Sequence, residues 1–569
     1  MRTMPLFLAT VFVTSPGLIA LPIVAQHPAA PAAKHADSDP LLNAMKEELT
    51  REQQLLVLPG MQRPYFIQYR LDDVQTYEAV ANYGALTREN ESHQRAVRVE
   101  VRVGDYVTDS STSRGDGAVE LAPTDNDPNA LRFALWTATD EAYKNALRAY
   151  AAKQAALKQY QTPPTANDFS PAKPGTTRIE PLVTLDLDRT EWKRRIVEAS
   201  GLFTSDPAVK SFAPDVQVSN ATVSAIAVNR YLVNTDGTML RHGYAGYQNM
   251  VSVGGQAPDG MQVGRDNGTM ATTAAGLESW TAMRQRAINN LLSYNELRHA
   301  PVVDAEDYHG PVLFSGDAAA DVVNRLIVPN IEADRPEMGT NARTQGPYQS
   351  SLHSPILPNY ISIVDDPTQR IFDGRSLLGA YNVDDEGVTV APVTLVKNGE
   401  LINYDIGREP IKDFPESNGH GRAIPAQSAR SRAGVVIVKS TQNLTEEQMR
   451  AKLVALAKEK GKNVYEVETL GGGELMPRIL YRISPDGKRT LVRGAAFDDL
   501  DQRALRADIV AAGGKPWVAQ AIAPIPQTTI VPSILFDDIT VKRANPEQQK
   551  LPYYPPPTLA TNSAALTTK

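Results

Sequence analysis

Cysteine is absent from all 569 residues. That excludes disulfides, a thiolate zinc ligand, a cysteine nucleophile and a lipidated N-terminal cysteine. Histidine is scarce, with 8 residues, and no two of them stand three or four positions apart. No helix can therefore present the paired imidazoles of a zinc-binding turn. Positive charge is also short: 58 Lys and Arg against 65 Asp and Glu leave a net charge of −7. Nothing in that balance favours gripping a phosphate backbone, so no nucleic-acid partner is expected. Long apolar runs are missing after the first 25 residues, so no membrane span is expected in the rest of the chain.

The one apolar run stands at the start. Arg2 supplies a positive charge, Leu6 to Val24 follow with interruptions at Pro16 and Pro22, and small residues come next. This order predicts a signal peptide over 1–25, cut near Ala25 or Gln26, followed by an Ala/Pro-rich linker over 26–38. The mature protein is expected to be periplasmic or secreted. A hydrophobic content of 42% and a charged content of 22% suit a globular chain with a substantial core. The length calls for two large domains, placed at 39–300 and 301–545, with a Pro-rich tail over 546–569.

Local patterns mix helices and strands. Asp39-Pro40 writes a helix start, and Leu42, Met45 and Leu49 continue an apolar helical face. Val97, Val99, Val101 and Val103 alternate with charged residues, which predicts a half-buried strand. Asp127-Pro128 opens a second helix reaching roughly Gln161, and Asn234 to Gly237 reads as a hairpin tip. A helix is expected over about Ala274 to Arg298. Short strands are expected at Val312 to Phe314, Ile361 to Val364, Val390 to Val396 and Val435 to Val438, and Thr445 to Gln448 as a capping box. Strands and helices do not alternate strictly, so the fold class is α+β with mixed, largely antiparallel sheets.

The C-terminal half carries the informative words. Asn382-Val383-Asp384-Asp385-Glu386-Gly387 precedes Lys397-Asn398-Gly399-Glu400-Leu401, then Ser417-Asn418-Gly419-His420-Gly421-Arg422, then Val531-Pro532-Ser533-Ile534-Leu535-Phe536-Asp537-Asp538. Their order resembles the TldD/PmbA family, metallopeptidase-related proteins also named modulators of DNA gyrase. Asp39-Pro40-Leu41-Leu42 and Pro64-Tyr65-Phe66-Ile67 resemble the opening of its exported members, so the resemblance covers the mature chain. In the family's TldD type it implies H-E-x-x-x-H on a helix after a short strand, completed by a late cysteine. The PmbA (TldE) type lacks these ligands and pairs with the TldD type around a shared cavity, where an unfolded peptide lies as an added strand.

The corresponding place here reads Gly310 to Asp321. Phe314 and Ser315 stand where the first histidine and the glutamate would be, and Ala319 where the second histidine would be. Zinc needs several nitrogen, sulfur or carboxylate ligands converging at about 2.0–2.3 Å, and these side chains cannot supply them. The resemblance thus implies a non-catalytic, TldE-like subunit without a cofactor of its own. Zinc is expected on a TldD-like partner, with self-association as the other arrangement.

Asn418, Gly419, His420 and Arg422 are the expected peptide-contacting loop. Arg422 can serve there as the partner of a peptide carboxylate or as a structural salt bridge. His309, in Glu306-Asp307-Tyr308-His309, and His420 are the candidate ligands if a non-standard metal site exists. Asp384, Asp385 and Glu386 read equally as an acid pair or as a hairpin turn. Ser315-Gly316-Asp317 is not a nucleophile elbow, and Gly471-Gly472-Gly473 lacks the lysine of a phosphate loop. A peptidase active through a non-standard metal site and a peptide-binding or assembly module remain the alternatives.

Overall fold

The computed structural model describes residues 39–544 apart from 112–116, 161–165, 172–174, 305–307, 336–349 and 472–474. The expected leader, linker and tail, with Glu306 and Asp307, lie outside the described residues. The chain begins with α1 (Pro40–Leu55), where the Asp39 carboxylate accepts from the Leu41 and Leu42 amides at 3.0 and 3.2 Å. A long ribbon follows, β1 (Pro64–Asn82) and β2 (Ala85–Val103), joined by Tyr83-Gly84. Both turn residues have positive φ, 53° and 85°, as a two-residue hairpin requires.

Next come β3 (Ala118–Ala122), α2 (Pro128–Tyr160), β4 (Thr177–Ile179) and α3 (Arg189–Ser205). Then β5 (Val218–Asn234), β6 (Met239–Gln256), β7 (Gln262–Ala271) and α4 (Trp280–His299) complete the first half. The seven strands form one sheet in the order β3-β2-β1-β5-β6-β4, with β7 also on β6. Its only parallel pairing among the described residues is β4 with β6. Two apolar clusters cover it. One sets Leu42, Met45, Leu135 and Tyr143 of α1 and α2 against Val97, Val99 and Val101. The other sets Trp192, Ile196, Met283 and Leu291 of α3 and α4 against Ala221, Val223 and Val251.

The second half starts with β8 (Tyr308–Phe314), α5 (Asp317–Leu326), α6 (Val328–Ile331) and β9 (Ile361–Asp365). Short ribbons β10 (Ile371–Phe372) with β11 (Arg375–Ser376), and β12 (Val393–Lys397) with β13 (Glu400–Leu401), come next. The β12–β13 turn is Asn398-Gly399, at φ 49° and 81°. A side chain at Gly399 would place its Cβ 2.2 Å from the Leu357 carbonyl oxygen, so glycine is required there. The chain continues with β14 (Gly421–Arg422), β15 (Arg430–Ser431), β16 (Val435–Ser440), α7 (Glu446–Lys460), β17 (Val464–Gly471), β18 (Met476–Ile483), β19 (Arg489–Val492), β20 (Ala495–Phe497), α8 (Gln502–Ala507), β21 (Ile509–Ala521) and β22 (Gln527–Arg543).

Eleven of these strands share a sheet ordered β13-β12-β9-β16-β22-β8-β17-β18-β19, with β20 and β21 also on β22. The long β22 is its spine, antiparallel to β8 and β21 and parallel to β16. The architecture is α+β with largely antiparallel sheets. Where the helix was expected from about Ala274, a 3₁₀ turn at Ala274–Gly276 intervenes, and α4 starts only after Ser279, whose hydroxyl caps the Ala282 amide.

Candidate functional site

Strand β8 delivers Phe314 to the core, where it is fully buried between Phe497 and Phe536 at ring-centroid distances of 5.3 and 5.4 Å. The Ser315 amide donates to the Val467 carbonyl at 2.9 Å, and Gly316, at φ 55°, turns the chain into α5. Ala319 has no exposed surface. The three positions of the zinc motif therefore hold a packed aromatic, a buried hydroxyl and a buried methyl, and a metal ion does not fit them.

One turn along α5, Asp317 and Asp321 lie at the i, i+4 spacing that brings two side chains together. Burial and the Asp321 charge hold the Asp317 carboxyl well above its usual range, and burial pushes Asp321 up to about 6. The Asp317 Oδ2 atom is buried without a hydrogen-bond partner. The i, i+4 spacing of the pair is visible in the sequence, but its burial is not.

The 382–387 segment and the 417–422 loop meet at the junction of the two sheets. The Asp384 carboxylate accepts from the Glu386, Val388 and Gly421 amides at 3.0, 2.8 and 2.9 Å, which folds the segment onto the loop. Asp385 faces the other way, towards the first sheet. Its Oδ2 lies 2.5 Å from Arg230 and 3.3 Å from Arg422, and accepts from the Ala423 amide at 2.7 Å. Arg230 in turn reaches Asp72 at 2.5 Å, and Asp72 accepts from the Ala426 amide at 2.8 Å and from Arg70 at 3.2 Å. Burial alone would raise the Asp385 carboxyl, but the Arg230 and Arg422 guanidiniums outweigh it and hold it well below the usual carboxylate range.

Arg422 is buried, stacked 4.0 Å above the Tyr381 ring and paired with Asp385. In this chain it is the salt bridge rather than a free cation. Asn418 is turned inward as well, donating to the Tyr404 carbonyl at 2.7 Å and accepting from the Ile406 amide at 2.8 Å. Gly419 is buried, and its carbonyl accepts from the Tyr381 hydroxyl at 3.0 Å. Gly421 passes so near Glu386 that an added Cβ would lie 1.9 Å from Oε2.

Glu386 accepts from the Arg408 amide at 2.7 Å, and Arg408 spans to the Ser170 carbonyl and to Asp236 at 2.6 Å. Burial, with the neighbouring Asp384, pushes Glu386 up to about 8, and burial pushes Asp384 up to about 7. The folded chain thus holds a proton on Glu386 that the unfolded chain releases above the ordinary value of 4.5. Stability from this group is therefore full at acid pH and declines as pH rises from about 4.5 to 8. Glu386→Gln is expected to flatten that decline, gaining on the parent at pH 8 and not at pH 4, in thermal melts across the range. Parallel curves for the two proteins would remove the assignment.

The remaining histidines fall apart in space. His309 is exposed on β8, with Nδ1 2.9 Å from the Thr540 hydroxyl and its carbonyl taken by Lys462. His299 is exposed at the end of α4, and exposed His353 pairs with Glu400 at 3.4 Å. His420, by contrast, is fully buried. Among the described residues it belongs to the one group of three His, Asp or Glu side chains placed to hold a metal ion, Asp365, Asp405 and His420, with ligand atoms within 4.8 Å of one another. His309 is not in it. Neither Asp365, at the end of β9, nor Asp405, after the β13 turn, was singled out from the sequence, because nothing local to either announces its partner.

Residues 307–543 match the family model described as the PmbA/TldA metallopeptidase C-terminal domain. No curated protein sequence matches the chain. Among solved structures, the chain is similar to TldE from Thermococcus kodakarensis, at 14% identity and a TM-score of 0.59 over 88% of this chain and 99% of that one. A Thermotoga maritima protein described as a candidate modulator of a DNA gyrase gives 16% identity and the same TM-score and coverage. A Bacteroides thetaiotaomicron protein described similarly gives 11% identity and a TM-score of 0.57, over 90% of this chain and 99% of that one.

Proposed function

Since the chain belongs to the TldD/PmbA family through its C-terminal domain, we propose that it is the non-catalytic, TldE-like subunit of an exported peptidase complex. One observation carries this reading: Phe314, Ser315 and Ala319 stand, packed and buried, where the resemblance calls for the two histidines and the glutamate of the zinc motif. The fold it shares with a protein named TldE supports it.

Its work in the complex is structural. The chain closes a chamber, offers a sheet edge to an extended peptide and seats a partner that carries the zinc. Main-chain hydrogen bonds to an added strand bind with little side-chain selectivity, which suits small or unfolded peptides and leaves folded proteins untouched. The 417–422 loop contributes by fixing backbone, since its side chains are committed to Asp385, Asn418 and Tyr404 contacts. Among the described residues no helix is long and apolar enough to cross a membrane.

The test is to express the full chain with its leader, purify it from the periplasmic fraction alone and with an exported TldD-like protein, and assay hydrolysis of an unfolded peptide. The chain alone should be inactive, should begin near Gln26, and should confer activity only together with the partner. Chelator-sensitive hydrolysis by the chain alone would overturn the reading.

A further inference from the structure

The Asp365, Asp405 and His420 cluster lies away from the β8–α5 entry, and all three residues have no exposed surface. His420 Nδ1 stands 2.9 Å from the Asn418 side-chain oxygen. That oxygen is identified by its other contact, the Ile406 amide, while the Asn418 nitrogen donates to the Tyr404 carbonyl. His420 must therefore carry hydrogen on Nδ1, which leaves Nε2 to face the two carboxylates.

Nε2 lies 3.5 Å from Asp365 Oδ2 and 3.5 Å from Asp405 Oδ1, and it has no hydrogen-bond partner. Neither Asp405 oxygen has a donor at all. Asp365 is anchored from behind: its two oxygens accept from the Gly434 and Val435 amides, each at 2.7 Å. His420 Nε2 and an Asp405 oxygen, both without a partner, thus converge with the amide-anchored Asp365 Oδ2 on one buried point.

We propose that this chain binds a divalent transition-metal ion, zinc foremost, through His420 Nε2, Asp365 and Asp405. The spacing suits it. A tetrahedral ion with bonds of about 2.1 Å holds its ligands about 3.4 Å apart, against the 3.5 Å observed from Nε2 to each carboxylate. The supporting contacts are those metal sites use: an imidazole oriented through its other nitrogen, and a carboxylate fixed by backbone amides. One imidazole with two carboxylates suits zinc or manganese better than magnesium or calcium.

The alternative to a metal is a proton. Burial and the Asp365 charge hold the Asp405 carboxyl well above its usual range, burial raises Asp365, and burial lowers His420. The two carboxyl directions say that the pocket does not tolerate two bare carboxylates, and either a shared proton or a cation answers that. Glu332, raised to about 7 by burial and paired with Arg432, and Arg422 are the other charged groups around it. A proton held between the aspartates leaves the His420 Nε2 lone pair unpartnered, whereas a cation engages all three side chains.

A closed site without exposed surface is structural rather than catalytic. The ion would fasten the end of β9, the 405 segment and the 417–422 loop together behind the domain junction. The assignment stands independently of the peptidase-subunit reading.

The experiment is elemental analysis of the purified full chain, before and after chelation and reloading with zinc, manganese or cobalt(II), with thermal melts of each form. One equivalent of metal, a lower melting temperature after chelation and its recovery on reloading are expected. Asn418→Ala, which frees the imidazole while keeping all three ligands, should weaken metal affinity about 10–100-fold. His420→Ala should abolish it, and cobalt(II) absorption bands present in the parent should vanish in that variant. A folded parent chain that takes up none of the three metals and melts identically with and without chelator would overturn the proposal and leave the proton-sharing cluster. Peptide hydrolysis assayed on the loaded form keeps the two readings separate: metal bound without activity supports both, and metal bound with activity sinks only the subunit reading.

Discussion

Replacing Asp385 with alanine is expected to cost about 3–5 kcal/mol, because it strips the carboxylate from a buried ion network and leaves its cations unanswered. Arg230 would keep Asp72, but Arg422 would lose the one carboxylate it pairs with among the described residues, and the Ala423 amide would lose its 2.7 Å acceptor. The network also joins the two sheets, since Arg230 and Asp72 belong to β5 and β1, whereas Asp385, Arg422 and Ala426 belong to the second half. Calorimetry should therefore show a lowered first transition and a looser coupling between the two halves. Asp385→Asn, which retains an acceptor but no charge, should fall between parent and alanine. A denaturation midpoint for Asp385→Ala equivalent to less than about 0.5 kcal/mol, the range of an ordinary surface substitution, would show that the junction does not depend on this carboxylate.

The same residues show why some of the molecule was legible in the sequence and some was not. Local hydrogen-bonding signals were reliable. Asp39-Pro40 capped α1, and Thr445 and Gln448 formed the reciprocal box at the start of α7. Periodicity failed where burial is not one-sided. Residues 85–94 of β2 are all exposed, so no apolar alternation marks them, although they pair with β1 along the whole ribbon. Helix α3 carries little apolar periodicity, because Arg189 to Arg195 is charged around most of its circumference and the apolar stripe is thin. The family words at 382–387 and 417–422 suggested a loop open to a cavity. The structure places it among buried partners: Arg422 on Asp385, Asn418 on Tyr404 and Ile406, His420 between Asp365 and Asp405. Those partners come from distant parts of the chain, and one sequence does not state which distant carboxylate meets which histidine.

Rebuilding the missing ligands by Phe314→His, Ser315→Glu and Ala319→His together is expected to yield an unstable chain without zinc chemistry. The reason is packing. Phe314 fills an apolar space between Phe497 and Phe536 and has no exposed surface, and truncating a buried phenylalanine costs about 3–5 kcal/mol. Histidine is smaller and brings two polar nitrogens into that space, one or both without a partner, so desolvation adds to the cavity. Ala319 is sealed as well, and a larger side chain there must push the start of α5 away from the sheet. No cysteine exists to complete the set. Phe314→His alone separates the contributions, since its loss of stability should account for most of that seen in the triple variant, read as the shift in urea midpoint. If the triple variant instead folds with parental stability and takes up stoichiometric zinc beyond any at His420, the β8–α5 entry is an empty ligand cradle rather than a repacked core, and the non-catalytic reading loses its physical basis.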